Sequence, residues 1–262
     1  MDAIITAGGT LKPTDPLFQL TGINKKALIP LVGKPMIGWI IEAVQASGIV
    51  DNIVIVGLKP DDLAPDYPHL HFTDATGDIV DNVFAGLDYL QTISPQMKNF
   101  LLISSDIPLI TPETIRGFVE ECGAHEAEVY YAMVEEKVME SRFPASKRTY
   151  IPFKGGRYTG GDIFLVSSSA VRGNIALAKA ATGARKNYVQ QIRLIGWSFI
   201  FRFLLRRITV QQVAIEVSAK ANLDGRIIAT QYAELGMDLD KPQHYDIIKA
   251  HLETRQTQKV NS

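Results

Sequence analysis

A pair of glycines near the amino terminus follows a short apolar strand and precedes a lysine. Residues 3–6 predict the strand, Ala7, Gly8 and Gly9 follow it, and Lys26 lies beyond a polar loop broken by prolines. Glycine has no Cβ, so the backbone N–H groups of such a turn can approach a phosphate, and a downstream lysine can neutralise its charge. These residues therefore predict a cradle for the phosphates of a nucleoside triphosphate (NTP).

Acidic residues at two distant points of the sequence are the second feature that can do chemistry. Asp106 comes shortly after a continuous apolar run, residues 100–103, and so lies at the carboxyl edge of a predicted strand, where open α/β sheets bind ligands. Asp238 and Asp240 are two residues apart, which puts both carboxylates on one face of an extended segment. Carboxylates from two elements can hold Mg²⁺ while water and phosphate oxygens complete its shell.

Each acidic site also has a simpler interpretation, because an aspartate near a proline often starts a turn and an acidic pair is usually solvated. Their occurrence together with the glycine turn favours the metal. We therefore expect a magnesium site formed by Asp106, Asp240 and Asp238.

Other polar residues are candidates for contacts with the nucleotide. Ser105 precedes Asp106 at the same strand end, and Asp74, Gly77 and Asn82 lie before the strand that leads to it. We expect the last three to contact the base and the ribose. A turn followed by a helix cap explains them equally well.

Composition limits the class of protein. The 262 residues are 46% hydrophobic, enough for a large core, and the net charge of -1 gives no general attraction to nucleic acid or to an anionic membrane. The only cysteine, Cys122, cannot form an internal disulfide, and no signal-peptide pattern opens the chain. We therefore expect a cytoplasmic protein with no nucleic-acid partner and no transmembrane span.

Alternating strands and helices must position these residues. The first half predicts strands at 2–6, 53–56 and 100–103, and helices at 35–46, 79–90 and 112–123. The second half predicts strands at 128–134, 163–166 and 226–230, a charged loop at 135–158, helical pieces within 168–220, and a terminal helix at 244–252. This order is typical of an α/β fold with right-handed crossovers.

The chain predicts a single domain, since no linker divides it. Within 1–262 we expect a nucleotide-binding half at 1–134, an acceptor-binding half at 135–253, and a frayed polar tail at 254–262.

Five motifs resemble those of nucleotidyltransferases in the glycosyltransferase-A-like superfamily, and most closely the molybdenum-cofactor nucleotidyltransferase (MobA-like) group. They are Ala7-Gly8-Gly9, Lys26-Ala27-Leu28, Gly33-Lys34-Pro35-Met36, Ser105-Asp106-Ile107-Pro108, and Asp240-Lys241-Pro242 in place of Asp-Thr-Pro. They follow the family's order along nearly the whole chain. One departure is plain: many relatives carry Gly-x-Gly-x-Arg after the first strand, where Thr10-Leu11-Lys12-Pro13 stands here.

The resemblance implies a three-layer α/β/α sandwich with a mostly parallel, Rossmann-like central sheet. It also implies an NTP bound at the amino-terminal loop, Mg²⁺ on the aspartates, and transfer of a nucleoside monophosphate to a phosphorylated acceptor with release of pyrophosphate. Lys26, Asp106 and Asp240 would be the catalytic residues. CTP and GTP are favoured by analogy with the group.

A second glycine pair and several basic residues are candidates for binding the phosphorylated acceptor. Gly160 and Gly161 precede a predicted strand, where a backbone can approach a ligand, and Arg157, Arg185 and Lys186 can each take a phosphate. Exposed basic residues of this kind are more often solvent-facing.

Two other classes of function stay open. A glycosyltransferase of the same broad fold would bind a nucleotide sugar, but such enzymes usually keep an Asp-x-Asp motif, and Ser104-Ser105-Asp106 offers one acid. A non-catalytic nucleotide-binding protein would keep the glycine cradle and lose the metal aspartates, whereas this chain has both.

The most apolar segment is 194–208, which predicts a helix with Ser198, Arg202 and Arg206 on one narrow face. It is too short to span a bilayer. Burial within the acceptor half, a homodimer interface and contact with lipid are three possible uses, and we expect burial.

Overall fold

The structure is a computed structural model that describes residues 1–63, 67, 69–173, 205 and 207–260. Within these residues the strands are β1 Asp2–Thr6, β2 Pro30–Leu31, β3 Lys34–Pro35, β4 Ile53–Val56, β5 Leu70–Thr73, β6 Asn99–Ser104, β7 Val129–Glu135, β8 Ile151–Phe153, β9 Gly156–Ser167 and β10 Gly225–Thr230. The helices in the same residues are α1 Pro16–Thr21, α2 Met36–Ala46, α3 Ile79–Ile93, α4 Pro112–Glu121, α5 Glu136–Arg142, α6 Ser168–Gly173, α7 Val210–Ala221 and α8 Pro242–Val260.

The central sheet is mixed and mostly parallel. Its strand order is β10-β7-β9-β6-β1-β4-β5, and β8 pairs with β9. Strand β9 runs antiparallel to β6 and β7, whereas β1, β4, β5 and β6 are mutually parallel. The predicted α/β class with a mostly parallel sheet is confirmed.

Alternate side chains of the buried strands pack on helices of opposite faces, which produces the three layers. Ala3 and Ile5 of β1 belong to a core cluster with the inner faces of α2 and α4. Ile4, the residue between them, packs in a separate cluster with Leu87 and Leu90 of α3. A strand covered on both faces needs apolar residues at every position, and this is the reason for the continuous apolar runs of the first half.

The second half differs from the prediction in two places. Residues 135–158, predicted as a loop, contain α5 and β8, and β9 begins at Gly156, seven residues before the predicted strand. Gly160 and Gly161 therefore lie inside a strand. A Cβ at Gly160 would lie 2.1 Å from the Tyr131 hydroxyl, so close packing of the sheet requires the glycine there.

Residues 254–260 are helical where the sequence predicts a frayed tail. Helix α8 continues to Val260, well beyond the predicted end at Leu252. Arg255 holds this part of the helix against the domain, because its guanidinium donates to the carbonyl oxygens of Leu109 at 2.6 Å and Ile110 at 3.3 Å.

Most of the apolar segment 194–208 lies outside the described residues, as do Arg185 and Lys186. Ile208, at its end, is completely buried, and Leu205 is exposed. In the described part of the chain, no helix combines the length and the apolar character needed to cross a membrane. The predicted uses of the segment, a homodimer interface included, stay predictions.

Candidate active site

Two neighbouring parallel strands bring the glycine turn and Asp106 to one edge of the sheet. Strands β1 and β6 are paired so that Thr6 lies opposite Ser104. The chain leaves both strands at this level, and the Ser105 amide still donates to the Thr6 carbonyl at 3.2 Å. The segments that begin at Ala7 and Ser105 therefore start side by side at the carboxyl ends of their strands.

Lys26 is anchored to the glycine turn through its backbone. Its amide donates to the Gly9 carbonyl at 3.0 Å, and the intervening loop closes by a bridge between Thr10 and Lys25. A Cβ on Gly9 would lie 3.8 Å from the Lys26 Cβ, so the two residues are in close contact. Residues 10–25 therefore form a loop that brings Lys26 back to the glycine turn.

The Lys26 ammonium joins the two acidic sites. Its Nζ lies 2.7 Å from Asp106 Oδ2 and 2.5 Å from Asp240 Oδ1. Asp240 is brought there by a backbone contact, since the Leu239 amide donates to the Asp106 carbonyl at 2.8 Å. The three predicted catalytic residues therefore meet at one point.

Electrostatics at this point favour the charged forms of Lys26 and Asp240. Burial alone would lower the pKa of Lys26, but the carboxylates of Asp106 and Asp240 outweigh it and raise that pKa. Burial alone would raise the pKa of Asp240, and Lys26 reverses the effect, so that pKa is lowered. Opposite charges within hydrogen-bonding distance account for both shifts.

Asp238 lies next to this group but has another counter-ion. Its carboxylate forms an ion pair and hydrogen bond with Arg148, whose Nη2 lies 3.4 Å from the Thr159 hydroxyl. Both charged side chains are close to buried, with 10% of Arg148 and 13% of Asp238 exposed. His244 Nδ1 lies 3.8 Å from the same carboxylate. Burial raises the pKa of Asp238 to about 6, with Arg148 acting against the rise.

Asp162 of β9 is an acidic member of the site that the sequence analysis missed. Burial, followed by the charges of Asp106 and Asp238, raises its pKa to about 8. The available signal was an acid directly before the apolar run Ile163 to Val166, inside a strand that turns out to run between β6 and β7. Arg148 was also missed, because it falls in the region predicted as a loop.

The negative charge of the acidic residues suits a divalent cation, but their side chains are not already arranged around a metal position. Four carboxyl groups, those of Asp106, Asp162, Asp238 and Asp240, interact with two basic side chains, Lys26 and Arg148. In the residues described, no three acidic, histidine or cysteine side chains converge as a metal-binding group. Asp106 and Asp240 do reach one common cation, the Lys26 ammonium. These two carboxylates therefore fit a shared Mg²⁺ completed by water and phosphate oxygens.

The backbone of the glycine turn is tightly packed on one side. Ala7 is not free to bind an anion, because its amide donates to the Val56 carbonyl at 2.8 Å. Gly57, at the end of β4, has φ +100°, and a Cβ there would lie 2.4 Å from the Cα of Gly8. Gly57 is thus a further glycine that this turn requires and that the sequence analysis did not single out.

The residues predicted to contact the base and ribose lie beside the turn to different degrees. A Cβ on Gly8 would lie 3.5 Å from Asn82 Nδ2, so Asn82 adjoins the cradle, and its Oδ1 accepts from the Thr76 amide at 2.9 Å. Gly77 has φ +156° and packs against Asp81, and Asp74 is exposed. The alternative of a turn and a helix start is present too, since Asp78 caps α3.

Of the residues predicted for the acceptor, Arg157, Gly160 and Gly161 lie on β9, and Arg185 and Lys186 lie outside the described residues. Arg157 is 53% exposed and pairs with Glu136 at 2.8 Å. A Cβ on Gly161 would meet Ala132 Cβ at 2.9 Å, so the space beside both glycines of the pair is filled by protein. An acceptor role for these residues stays a prediction.

Comparison with solved structures shows which proteins share this fold. A hypothetical transferase from Thermus thermophilus is 30% identical, with a TM-score of 0.81 over 93% of this chain and 98% of that one. CMP:2-keto-3-deoxy-manno-octonic acid synthetase, complexed with CTP, has 14% identity and a TM-score of 0.59 over 97% of this chain and 98% of the other. 4-diphosphocytidyl-2C-methyl-D-erythritol synthase from Anaerococcus prevotii has 13% identity and a TM-score of 0.56 over 96% of this chain and 97% of the other. The last two show the fold alone.

The family follows from the sequence itself. A family model, the MobA-like NTP transferase domain, matches residues 4–193. The chain therefore belongs to the MobA-like NTP transferase family, and the predicted resemblance is confirmed. The bifunctional protein GlmU of Geobacter metallireducens is 30% identical over 110 residues, which cover 38% of this chain and 21% of GlmU. The chain thus spans about a fifth of the length of the curated relatives it matches.

Proposed function

We propose that this protein transfers a nucleoside monophosphate from an NTP to a phosphorylated small-molecule acceptor and releases pyrophosphate. The observation that carries the proposal is the position of Lys26, which is bonded by its backbone to the glycine turn and by its ammonium to Asp106 and Asp240. A phosphate-binding turn, a cation and two metal-binding carboxylates are the groups that phosphoryl chemistry needs at one place.

In this proposal the protein acts by alignment and by charge. The amides of Gly8 and Gly9 hold the outer phosphates, since the Ala7 amide is committed to Val56. A phosphate oxygen of the acceptor attacks the α-phosphorus in line, and the bond to pyrophosphate breaks. No general base is needed, because a phosphate nucleophile is already ionised near neutral pH.

Asp106 and Asp240 are the residues that would hold Mg²⁺, and the metal would supply neutralisation of charge on the phosphates. In the ligand-free protein the Lys26 ammonium bonds to both of these carboxylates. If Asp106 and Asp240 held Mg²⁺, the Lys26 ammonium would lose these two partners and could bind the phosphates instead. Lys26 would therefore occupy the carboxylates before the nucleotide binds and contact the phosphates afterwards.

CTP and GTP are the nucleotides to test first. One structural neighbour was solved with CTP, and another carries a cytidylyl group in the name of its product. GTP is included by analogy with the MobA-like family.

The test compares the wild type with Lys26→Ala. An NTP panel with and without Mg²⁺ is screened by thermal shift, and pyrophosphate release is then followed with candidate phosphorylated alcohols. Lys26→Ala is expected to lower turnover by about tenfold to a hundredfold, yet to bind Mg²⁺ alone more tightly, because the competing ammonium is gone.

The matched control is Lys25→Ala, which removes the neighbouring charge. Lys25 pairs with Asp62 at 2.6 Å and touches neither aspartate of the site, so turnover should be unchanged. The assignment of Lys26 fails if Lys26→Ala retains full turnover. The proposed class of reaction fails if an NTP never yields pyrophosphate while a nucleotide sugar is consumed.

A further inference from the structure

A cavity lies apart from the residues of the candidate active site. It has a volume of about 350 Å³ and is bounded by α5, α8 and the short turn Ala233–Gly236. Its lining includes Arg142, Phe143, Glu234, His251 and Arg255. Neither the sequence motifs nor the proposed reaction uses any of these side chains.

The cavity brings two guanidinium groups and one imidazole together with a single carboxylate. Arg142 Nε donates to Glu234 Oε1 at 3.0 Å, so one guanidinium is paired. The second, Arg255, donates from both Nη atoms to backbone carbonyls, which carry no net charge. The wall is therefore positively charged beyond what its own carboxylate balances.

The surroundings of Arg255 disfavour the positive charge of its guanidinium. Burial lowers the pKa of its guanidinium, and the neighbouring Arg142 lowers it further, whereas the charges of Glu234 and Glu113 act against this. An anion placed between the two arginines would replace their repulsion by attraction. Planar guanidinium groups bind phosphate through two parallel hydrogen bonds, and this geometry makes phosphate the natural anion here.

The imidazole and a phenyl ring complete the wall. His251 Nδ1 lies 2.9 Å from the Ile247 carbonyl, which can only accept, so Nδ1 carries a proton. In the neutral ring, Nε2 is then an acceptor, which suits a hydroxyl group of a phosphate ester. The His251 ring packs edge-on against Phe143, with centroids 5.0 Å apart. The cavity thus offers an apolar surface beside its charges, which suits a phosphate group on a small carbon skeleton.

We propose that this cavity is a second anion site, which binds phosphate or a small phosphate ester between Arg142 and Arg255. The site is separate from the nucleotide cradle and does not depend on the proposed reaction. Free phosphate and a phosphate ester share the recognised group, and they are distinguished by comparing inorganic phosphate with glycerol 3-phosphate as probes.

The experiment is a calorimetric titration of the full chain with each probe. It is made in the Lys26→Ala background as well as in the wild type, so that binding at the nucleotide cradle is counted separately. Arg255→Gln and Arg142→Gln are each expected to weaken phosphate binding about tenfold or more. The Arg142 side chain is 52% exposed, so its replacement is expected to leave the fold intact. The control Lys249→Gln removes an exposed charge from the same helix outside the cavity and should have no effect.

A variant that should strengthen phosphate binding distinguishes an effect on the site from damage to the fold. Glu234→Gln removes the carboxylate that pairs with Arg142, so phosphate should bind several-fold more tightly, whereas a merely structural defect would weaken it. If glycerol 3-phosphate binds more tightly than inorganic phosphate, the ligand is assigned as a phosphate ester. The proposal is overturned if neither probe binds in the Lys26→Ala background, or if Lys249→Gln weakens binding as much as Arg255→Gln in correctly folded protein.

Discussion

Asp238 and Asp240 are two residues apart, yet they lie in different environments. Asp240 has a side chain that is 54% exposed and meets Lys26, whereas Asp238 is 13% exposed and meets Arg148. The pKa of Asp240 is lowered, and burial raises that of Asp238 to about 6. One short segment therefore presents an accessible carboxylate to a ligand and keeps a second one behind it.

The difference shows how a charged site can be held in place from within the protein. The buried pair of Asp238 and Arg148 fixes the segment, and the Leu239 amide bonds to the Asp106 carbonyl at 2.8 Å. These two fixed points, at the residues directly before Asp240, restrict where its carboxylate can go. Buried polar groups commonly act in this way when each has a partner.

The largest expected effect is the loss of turnover on changing the two carboxylates that meet Lys26. Asp106→Asn and Asp240→Asn should each lower the rate of pyrophosphate release by about a hundredfold to a thousandfold, because either change removes a ligand of the proposed metal. Unfolding temperatures should stay close to that of the wild type. If Asp240→Asn keeps full activity and Asp238→Asn has none, Asp238 and not Asp240 is the metal ligand.

The buried side of the comparison predicts a loss of stability. Arg148→Met leaves the Asp238 carboxylate buried without its cation, and breaking such a pair costs about 3–5 kcal/mol of unfolding free energy. Urea unfolding followed by circular dichroism measures the change. The double variant Arg148→Met with Asp238→Asn should recover most of it, since the stranded charge is then absent.

The matched control for Arg148→Met is Arg157→Met, which breaks an ion pair on the surface. Arg157 is 53% exposed and pairs with Glu136, so the expected cost is below about 1 kcal/mol. Equal destabilisation by the two substitutions would show that burial of the Asp238 pair has no special weight.

The sequence predicts the part of the site around Lys26 better than the ion pair of Asp238 and Arg148, and the reason is physical. Asp106 and the glycine turn follow apolar strands, so their place at the sheet edge follows from local patterns. Arg148 and Asp238 are 90 positions apart, and Arg148 follows a segment in which helix α5 replaces the predicted loop. Nothing local indicates that pair, since an ion pair depends on where two distant segments are packed.

Glycines show the same limit from another side. The pair Gly160 and Gly161 looks like a ligand-binding turn in the sequence, but it lies within β9, where Tyr131 and Ala132 fill the space beside it. Gly57, which no motif contains, is needed for the close approach to Gly8. A glycine in a sequence indicates close approach, and only the packing decides whether the approaching group is a ligand or another strand.

The smallest expected effect concerns pH, and it separates Asp162 from Asp238. Both are acids whose pKa is higher in the folded protein than in the unfolded chain, so the folded state holds a proton that the unfolded state has already lost. Stability must therefore fall as the pH rises from about 4 towards the folded pKa. For Asp238 the fall is largely complete above pH 6, whereas for Asp162 it continues to about pH 8.

Urea unfolding without divalent metal, at pH 6.5 and pH 8, isolates the contribution of Asp162. The wild type should be less stable at pH 8, and Asp162→Asn should lose that dependence because an amide does not titrate. His244 interferes little, since burial lowers its pKa and its contribution to the pH dependence lies at or below its ordinary value near 6.5. Asp238→Asn is the control and should keep the fall between these two pH values. A wild type that gains stability over this interval would mean that Asp162 is already ionised, and the acidic cluster would then hold its negative charges without a proton on β9.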